Sequence, residues 1–466
     1  MPKLSSIRSR LLLAACALTL STPALAGSNP AAEAQALDLL KHAIAFRTVQ
    51  GPGNQTPQFA AYLKQVLVAG DFAPEDVTIT PVDDTAFLVA RYRGSDHRLK
   101  PLLLSGHMDV VEAKPADWER DPFTPIIENG YIYGRGATDM KFGDALMVAT
   151  LIDLKRRHFT PKRDVVLVLS GDEETIMKTT QMIATQFPDA YMLLNADSGG
   201  GSLGEDGKPQ YFVLEGAEKA YADYTLTITN PGGHSSAPRK ENAIYELAAA
   251  LTRIGNHQFT PQLNDITKAY FLAAADRAAP QTGAAMRAFA NDPTDKAAIK
   301  TLSSDPAHVG KIGTTCVATM LNGGHALNAL PQRATANINC RIFPGTSFKQ
   351  VEDELVHVAD EPRMQIRFIA TGTTASPPSP MRSDVTAAVR AGLDVAYKSV
   401  PIIPSMGSGA SDSMWFRVRG VPSYGVSPIF LKDSDDFSHG LNERTPLFNI
   451  APGVAYWKLL ITRLSS

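Results

Sequence analysis

Val165-Val166-Leu167-Val168-Leu169-Ser170-Gly171-Asp172-Glu173-Glu174 passes from five apolar residues, through a serine and a glycine, into three consecutive acids. The apolar run is continuous rather than alternating, which reads as a parallel strand buried on both faces. Ligands of open α/β sheets collect just beyond the carboxyl ends of such strands. Adjacent side chains near a strand end point in different directions. Glu173 and Glu174 can therefore do two jobs, one holding a metal and the other facing water. A solvated acidic turn is the plainer reading, and the stretch alone leaves both open.

Two more short apolar strands flank it in the sequence, and both end in metal-ligand types. Residues 101–105 run into Gly106-His107-Met108-Asp109, and residues 191–196 run into Asp197. If the three strands are parallel neighbours, His107, Glu173, Glu174 and Asp197 converge on one rim. His107 and Asp109 are two apart and share a face, so the Asp109 carboxylate is expected to accept the second ring N–H of His107 and fix its tautomer. Asp139 lies in a glycine-rich turn before a helix and, taken singly, reads as an N-cap. His439 lies in the late loop Phe437-Ser438-His439-Gly440-Leu441-Asn442-Glu443, where a lone histidine is ordinarily a surface residue. Together the two histidines and the carboxylates make a full set for two hydrolytic metals, provided that one carboxylate bridges.

Strand and helix alternate from residue 31 to about 215. Helices are expected over 31–49, 56–67, 142–156 and 179–187, and strands over 76–82 and 86–92. This implies a mostly parallel sheet with helices on both faces. After 215 the character changes: 221–229 alternates apolar and polar side chains, as a sheet with one wet face should. Helix 242–254, a hairpin of 314–321 with 333–342, helix 348–358 and strand 365–370 complete a split βαβ pattern. Residues 256–310 form an alanine-rich helical insertion, and 376–380 (Ser-Pro-Pro-Ser-Pro) a linker. The expected fold is an α/β catalytic domain, 27–215 and 377–466, carrying an inserted α+β ferredoxin-like lid or dimerisation domain, 216–376.

Residues 1–26 read as a signal peptide: Lys3, Arg8 and Arg10, an apolar core over 11–20, and Ala24-Leu25-Ala26 as cleavage site. A lipoprotein signal ending at Cys16 ranks second, because it leaves almost no apolar core. The protein is thus expected to be secreted or periplasmic. Cleavage removes three of 45 basic residues and none of 47 acids, leaving a net charge of −5. That balance argues against nucleic acid or an anionic membrane as partner. Cys316 and Cys340 lie at equal distances from Asn328 in the expected hairpin. An exported chain can join them or leave them as thiols. They lack the spacing of zinc ligands.

The motifs Ser105-Gly106-His107-Met108-Asp109-Val110-Val111, Tyr133-Gly134-Arg135-Gly136-Ala137-Thr138-Asp139-Met140-Lys141 and Gly171-Asp172-Glu173-Glu174, in this order, resemble the M20 family of metallopeptidases. That family includes carboxypeptidases, dipeptidases, aminoacylases and desuccinylases. Trp118 and Asp121-Pro122-Phe123 fall at family positions, and the resemblance spans the mature chain. It implies two Zn²⁺ ions per subunit, with Co²⁺ or Mn²⁺ as substitutes. Asp139 bridges them; His107 and Asp197 complete one site, Glu174 and His439 the other. Glu173 is the general base and later the general acid, Asp109 orients His107, and the peptide before Met140 is cis. Many relatives hold Glu where Asp197 stands; Asp leans toward dipeptidases and aminopeptidases.

The resemblance reaches the inserted domain. Pro231-Gly232-Gly233-His234-Ser235-Ser236 is similar to a segment whose histidine binds the oxyanion, often from the other subunit of a dimer; a plain turn is the alternative. Asn328 and Arg341 match positions that contact a substrate carboxylate. A guanidinium suits that task, although an exposed strand arginine accounts for Arg341 equally well. Gly409 lies in Gly407-Ser408-Gly409-Ala410-Ser411-Asp412, similar to a loop bordering the substrate pocket. The expected activity is hydrolysis of an amide in a small peptide, of carboxypeptidase or dipeptidase type. N-acyl-amino-acid amidohydrolysis is the alternative, and a non-catalytic binding protein a third reading. A homodimer through the lid is implied, which the insertion could mask, or it could complete the site in cis. Gly200-Gly201-Ser202-Leu203-Gly204 matches G-x-S-x-G, but the turn-forming residues 205–209 follow where a nucleophile elbow needs a helix. It reads as a loop.

Overall fold

The computed structural model describes residues 29–370 and 372–466. The signal segment 1–26 and the alternative at Cys16 lie outside them. Among the described residues no helix is long and apolar enough to cross a membrane.

Val165–Ser170 lies inside a ten-stranded sheet, between Thr85–Tyr92 and Leu102–His107. Four neighbours are parallel, in the order Val165–Ser170, Leu102–His107, Met192–Asn195 and Ser423–Gly425. Val165, Leu167 and Leu169 join one apolar core with helices Pro30–Ala45, Lys141–Arg156 and Ile450–Leu464. Val166 and Val168 face a second core with Leu103, Ile183 and Phe416. Helices thus cover both faces, which is why the run carries no polar alternation. Each such side chain contributes roughly 1.5–3 kcal/mol through its burial. In register, His107 stands opposite Ser170, and Ser105 opposite Asn195, so three carboxyl ends lie on one edge.

A four-stranded antiparallel sheet, in the order Thr315–Gly323, Arg333–Ile342, Ala220–Thr229, Gln365–Ile369, forms a second unit. This is the split βαβ order. Ala220, Ala222, Tyr224, Leu226 and Ile228 face helices Ala243–Asn256 and Phe348–Ala359, and the alternate residues are only half-buried. Cys316 and Cys340 stand directly opposite and are joined by a disulfide. Strand Thr315–Gly323 is an open edge: Val317, Met320 and Leu321 are 61–71% exposed.

The insertion is helical, as expected: Asp265–Ala274, Pro280–Asn291, Lys296–Ser303 and Pro306–Val309. It has its own core of Phe271, Met286, Phe289 and Leu302. It leans on the large sheet, where Ile266 packs with Ala217 and Met406.

Three local expectations change. The first helix ends at Ala45 rather than 49, because Phe46 turns extended and Thr48 accepts a bond from Val110 N. The G-x-S-x-G stretch is a strand, Gly200–Leu203, rather than a loop; it pairs with Pro209–Glu218 on one side and Phe430–Lys432 on the other. The 376–380 linker is packed: Ser379 is buried and donates its N–H to Gly216 O and its hydroxyl to Ser423 O.

Candidate active site

The strand ends bring together the residues that the sequence singles out. His107 Nε2 lies 3.1 Å from Asp139 Oδ1 and 3.4 Å from Asp197 Oδ1. His439 Nε2 lies 3.1 Å from Asp139 Oδ2 and 3.0 Å from Glu174 Oε2. Asp139 therefore stands between the histidines with one oxygen toward each. His107, Asp139 and Glu174 also present ligand atoms all within 4.8 Å of one another.

The tautomer of His107 is fixed differently from the expectation. Its Nδ1 lies 3.0 Å from the Asp109 main-chain carbonyl and 3.6 Å from the Asp109 carboxylate. The carboxylate instead accepts the N–H groups of Glu173 (3.1 Å) and Glu174 (3.0 Å). Asp109 thus sets both the imidazole and the turn bearing the two glutamates. A carbonyl only accepts, so Nδ1 carries the proton and Nε2 turns its lone pair toward carboxylates. Lone pair facing carboxylate at 3.1 Å needs a cation between them. A proton or a metal ion meets that need, and the N/O donor set fits a divalent metal.

The electrostatics agree. Burial would lower the pKa of His107, but Asp197 and Asp139 hold it well above the usual histidine range. Hydrogen bonds to Asp139 and Glu174 push His439 up to about 10. Burial opposes the ionised form of Asp139, yet the two histidines hold its pKa below the usual carboxylate range. Burial, aided by Asp197 and Asp412, raises Glu173 well above it, against the pull of His107.

Three further acids build the site without touching its centre. Glu443 is fully buried and accepts the N–H groups of Gly136 (2.9 Å), Thr138 (2.7 Å) and Asp139 (3.0 Å), and Arg135 Nη1 at 2.7 Å. It holds the turn that presents Asp139, next to the cis Asp139–Met140 peptide. Asp412 ties the glycine-rich loop to the organising strand, accepting from Ser170 Oγ at 2.6 Å and from the Thr180 hydroxyl. Burial pushes it up to about 7. Asp172, first of the three acids, accepts from Lys178 N and Thr179 N at the start of helix Lys178–Gln186. Sequence reasoning assigned none of these roles; a bare acid in a loop motif carries no signal of what it will cap. Gly106 has a steric reason: a Cβ there would lie 2.3 Å from Asp144 Oδ1.

A cleft of about 510 Å³ opens on the cluster, lined by Glu173, Glu174, Asp197, His439 and the loop containing Gly409. The structure does not bring His234 or Asn328 to it. His234 is exposed, with Nδ1 accepting from Ser236, and Asn328 is exposed with its carbonyl accepting from Ser235 N. Arg341 is not among the lining residues; it lies over the Tyr221 ring, with Nη1 donating to Ser408 O at 3.2 Å.

A model described as peptidase family M20/M25/M40 matches residues 103–463. The chain is 30% identical over 387 residues to mouse "N-fatty-acyl-amino acid synthase/hydrolase PM20D1", covering 78% of this chain and 75% of that protein. It is 27% identical over 388 residues to "Probable carboxypeptidase S-like 2" of Dictyostelium discoideum, covering 80% and 73%. An M20 family metallo-carboxypeptidase from Sulfolobus solfataricus shares the fold, with a TM-score of 0.71 at 17% identity over 92% of this chain and 99% of that one. So does a dinuclear metal binding peptidase from Bacillus subtilis, with a TM-score of 0.58 at 11% identity over 94% and 99%.

Proposed function

The chain belongs to peptidase family M20/M25/M40, a family of metal-dependent hydrolases, and from that premise we propose an exported di-metal hydrolase that releases an amino acid with a free carboxylate from an amide. The leading reading is a carboxypeptidase or dipeptidase of small peptides. The second, N-acyl-amino-acid hydrolysis, is favoured by the 30% identity to a protein named for that chemistry. Both substrates end in the same group, an amino acid acylated on nitrogen.

The observation that carries the proposal is Asp139 standing 3.1 Å from each of two histidines. Asp139 would bridge, His107 and Asp197 hold one ion, and Glu174 and His439 the other. Imidazole and carboxylate donors suit Zn²⁺, with Co²⁺ or Mn²⁺ as substitutes. Two such ions supply Lewis acidity toward the scissile carbonyl and make water acidic near neutral pH. Glu173, buried at the cleft, takes the proton of the attacking water as a carboxylate and delivers it to the leaving nitrogen.

The open edge Thr315–Gly323, with its exposed apolar residues, supports a homodimer through the four-stranded unit, 216–376. In that dimer His234 and Asn328 would serve the partner's cleft, His234 stabilising the oxyanion. The leader and the Cys316–Cys340 disulfide support a secreted or periplasmic location. A non-catalytic binding protein would not need the full set of ligands together with Glu173.

The test is hydrolysis of a panel of dipeptides, longer peptides and N-acyl amino acids by the mature protein, with a chelator and after zinc is restored. Chelator-sensitive cleavage that returns with metal supports the proposal, and the preferred substrate chooses between its two readings. Cleavage indifferent to chelation overturns the metal assignment.

A further inference from the structure

Six acids line the cleft: Asp139, Glu173, Glu174, Asp197, Glu215 and Glu218. Among the described residues that line it, Lys311 is the sole lysine or arginine. It comes from the helical insertion, directly after helix Pro306–Val309. Its Nζ donates to Ser405 Oγ at 3.0 Å and to the Met406 carbonyl, and lies 5.1 Å from the centre of the Tyr270 ring. An ammonium has three protons. Two go to these acceptors, which leaves one for a ligand in the cleft.

Among the described residues Lys311 forms no ion pair within 4.0 Å; burial lowers its pKa, and Glu215 opposes that shift from farther away. Glu218 is paired with Arg417 at 2.9 Å. Burial and Glu218 push Glu215 up to about 8, against the pull of Arg417 and Lys311. Lys219 stays buried behind the wall, its Nζ donating to Gly313 O (2.7 Å) and Thr315 Oγ1 (3.2 Å); it pins the segment that carries Lys311. Arg341 is turned onto the Ser408 carbonyl.

We infer that Lys311, two residues past the last helix of the insertion, receives the free carboxylate of the substrate's leaving amino acid. An anion entering a cleft with six acids needs a cation of its own beyond those the metal ligands hold. The inference rests on the proposed hydrolase reading and deepens it. The selected substrates are amides of amino acids with a free carboxylate, and their carboxamide analogues are rejected.

The test uses two non-hydrolysed probes, L-phenylalanine and L-phenylalaninamide, titrated calorimetrically into the metal-loaded protein. Hydrolysis of N-acetyl-phenylalanine is assayed in parallel. The parent should prefer the carboxylate by about 10- to 100-fold, the worth of one charge-assisted hydrogen bond. Lys311→Met, which keeps the aliphatic stem, should abolish that preference, and Lys311→Arg should restore part of it. Thermal melting checks that each variant is folded. The inference is overturned if the parent shows no preference, or if Lys311→Met keeps the parental preference, with or without a lower Tm. It is also overturned if the preference disappears only in Arg341→Met. If the parent does not hydrolyse N-acetyl-phenylalanine or any amide of the panel, the hydrolase reading fails, while the binding ratio still decides the role of Lys311.

Discussion

The rim of the parallel strands and the outer edge of the four-stranded unit both carry histidine in a glycine-flanked turn, yet they behave in opposite ways. On the rim, His107 is 1% exposed and its ring is fixed at both nitrogens, to the Asp109 carbonyl and to carboxylates. At the edge, His234 is exposed, and its ring bonds Ser236 two residues away. The difference lies in what holds each turn. The parallel strands are in register at their carboxyl ends, with His107 opposite Ser170 and Ser105 opposite Asn195, so residues just beyond them converge. The edge turn is held by a two-residue pairing with Ala329–Leu330.

The largest expected effect tests the rim. Glu173→Gln should keep its metal and lose about 10³-fold in kcat, as removal of a general base does; near-normal turnover would refute the role. His234→Ala should lose about 10²-fold, as loss of an oxyanion donor does. Mixing it with Glu173→Gln should regain activity that neither variant has alone, because one mixed site is then complete. Absence of any regain breaks the idea that the edge serves a second copy. Glu443→Gln should weaken metal binding about 10- to 100-fold, measured by chelator competition, because Asp139 is positioned through it. Removing one partner of the buried Arg135–Glu443 pair should also cost about 3 kcal/mol in denaturant unfolding.

The smallest effect concerns the wall between the two regions. Burial, with Arg341 and Lys311 nearby, lowers the pKa of Lys219 to about 7. The unfolded chain keeps that lysine protonated to about pH 10. Between those values the unfolded state binds more protons, so this lysine makes the fold more stable as pH rises, by at most about 1.4 kcal/mol per pH unit. Lys219→Met should lack that contribution. The parent should therefore gain stability relative to the variant from pH 7.5 to 9.5, and a constant difference would mean that Lys219 is charged in the fold.

Much of this was legible before any coordinates. The strand Val165–Ser170 follows the apolar run, and helix Lys141–Arg156 lies within one residue of its expected bounds, because continuous or 3.6-periodic apolar patterns are local signals. The five expected ligands come together in the structure; His107, Glu174 and Asp197 follow strand ends readable locally, whereas Asp139 and His439 read singly as an N-cap and a surface residue, and only the resemblance implied their roles. The roles of Glu443 and Asp412 were not legible. Arg135 and Glu443 are 308 residues apart, and Ser170 and Asp412 are 242 apart. Nothing local distinguishes a buried acid that caps a distant turn from a solvated one.

The sequence by itself determined which side chains could do metal chemistry and that a parallel sheet would carry them. Short-range periodicity and spacing are complete within one element. Only the tertiary structure decided that Asp109 holds His107 through its carbonyl and the glutamate turn through its carboxylate. It alone put Arg341 on the Ser408 carbonyl and Lys311 in the cleft lining. Those choices depend on how separately folded layers pack, and packing is a property of pairs of elements that no single stretch contains.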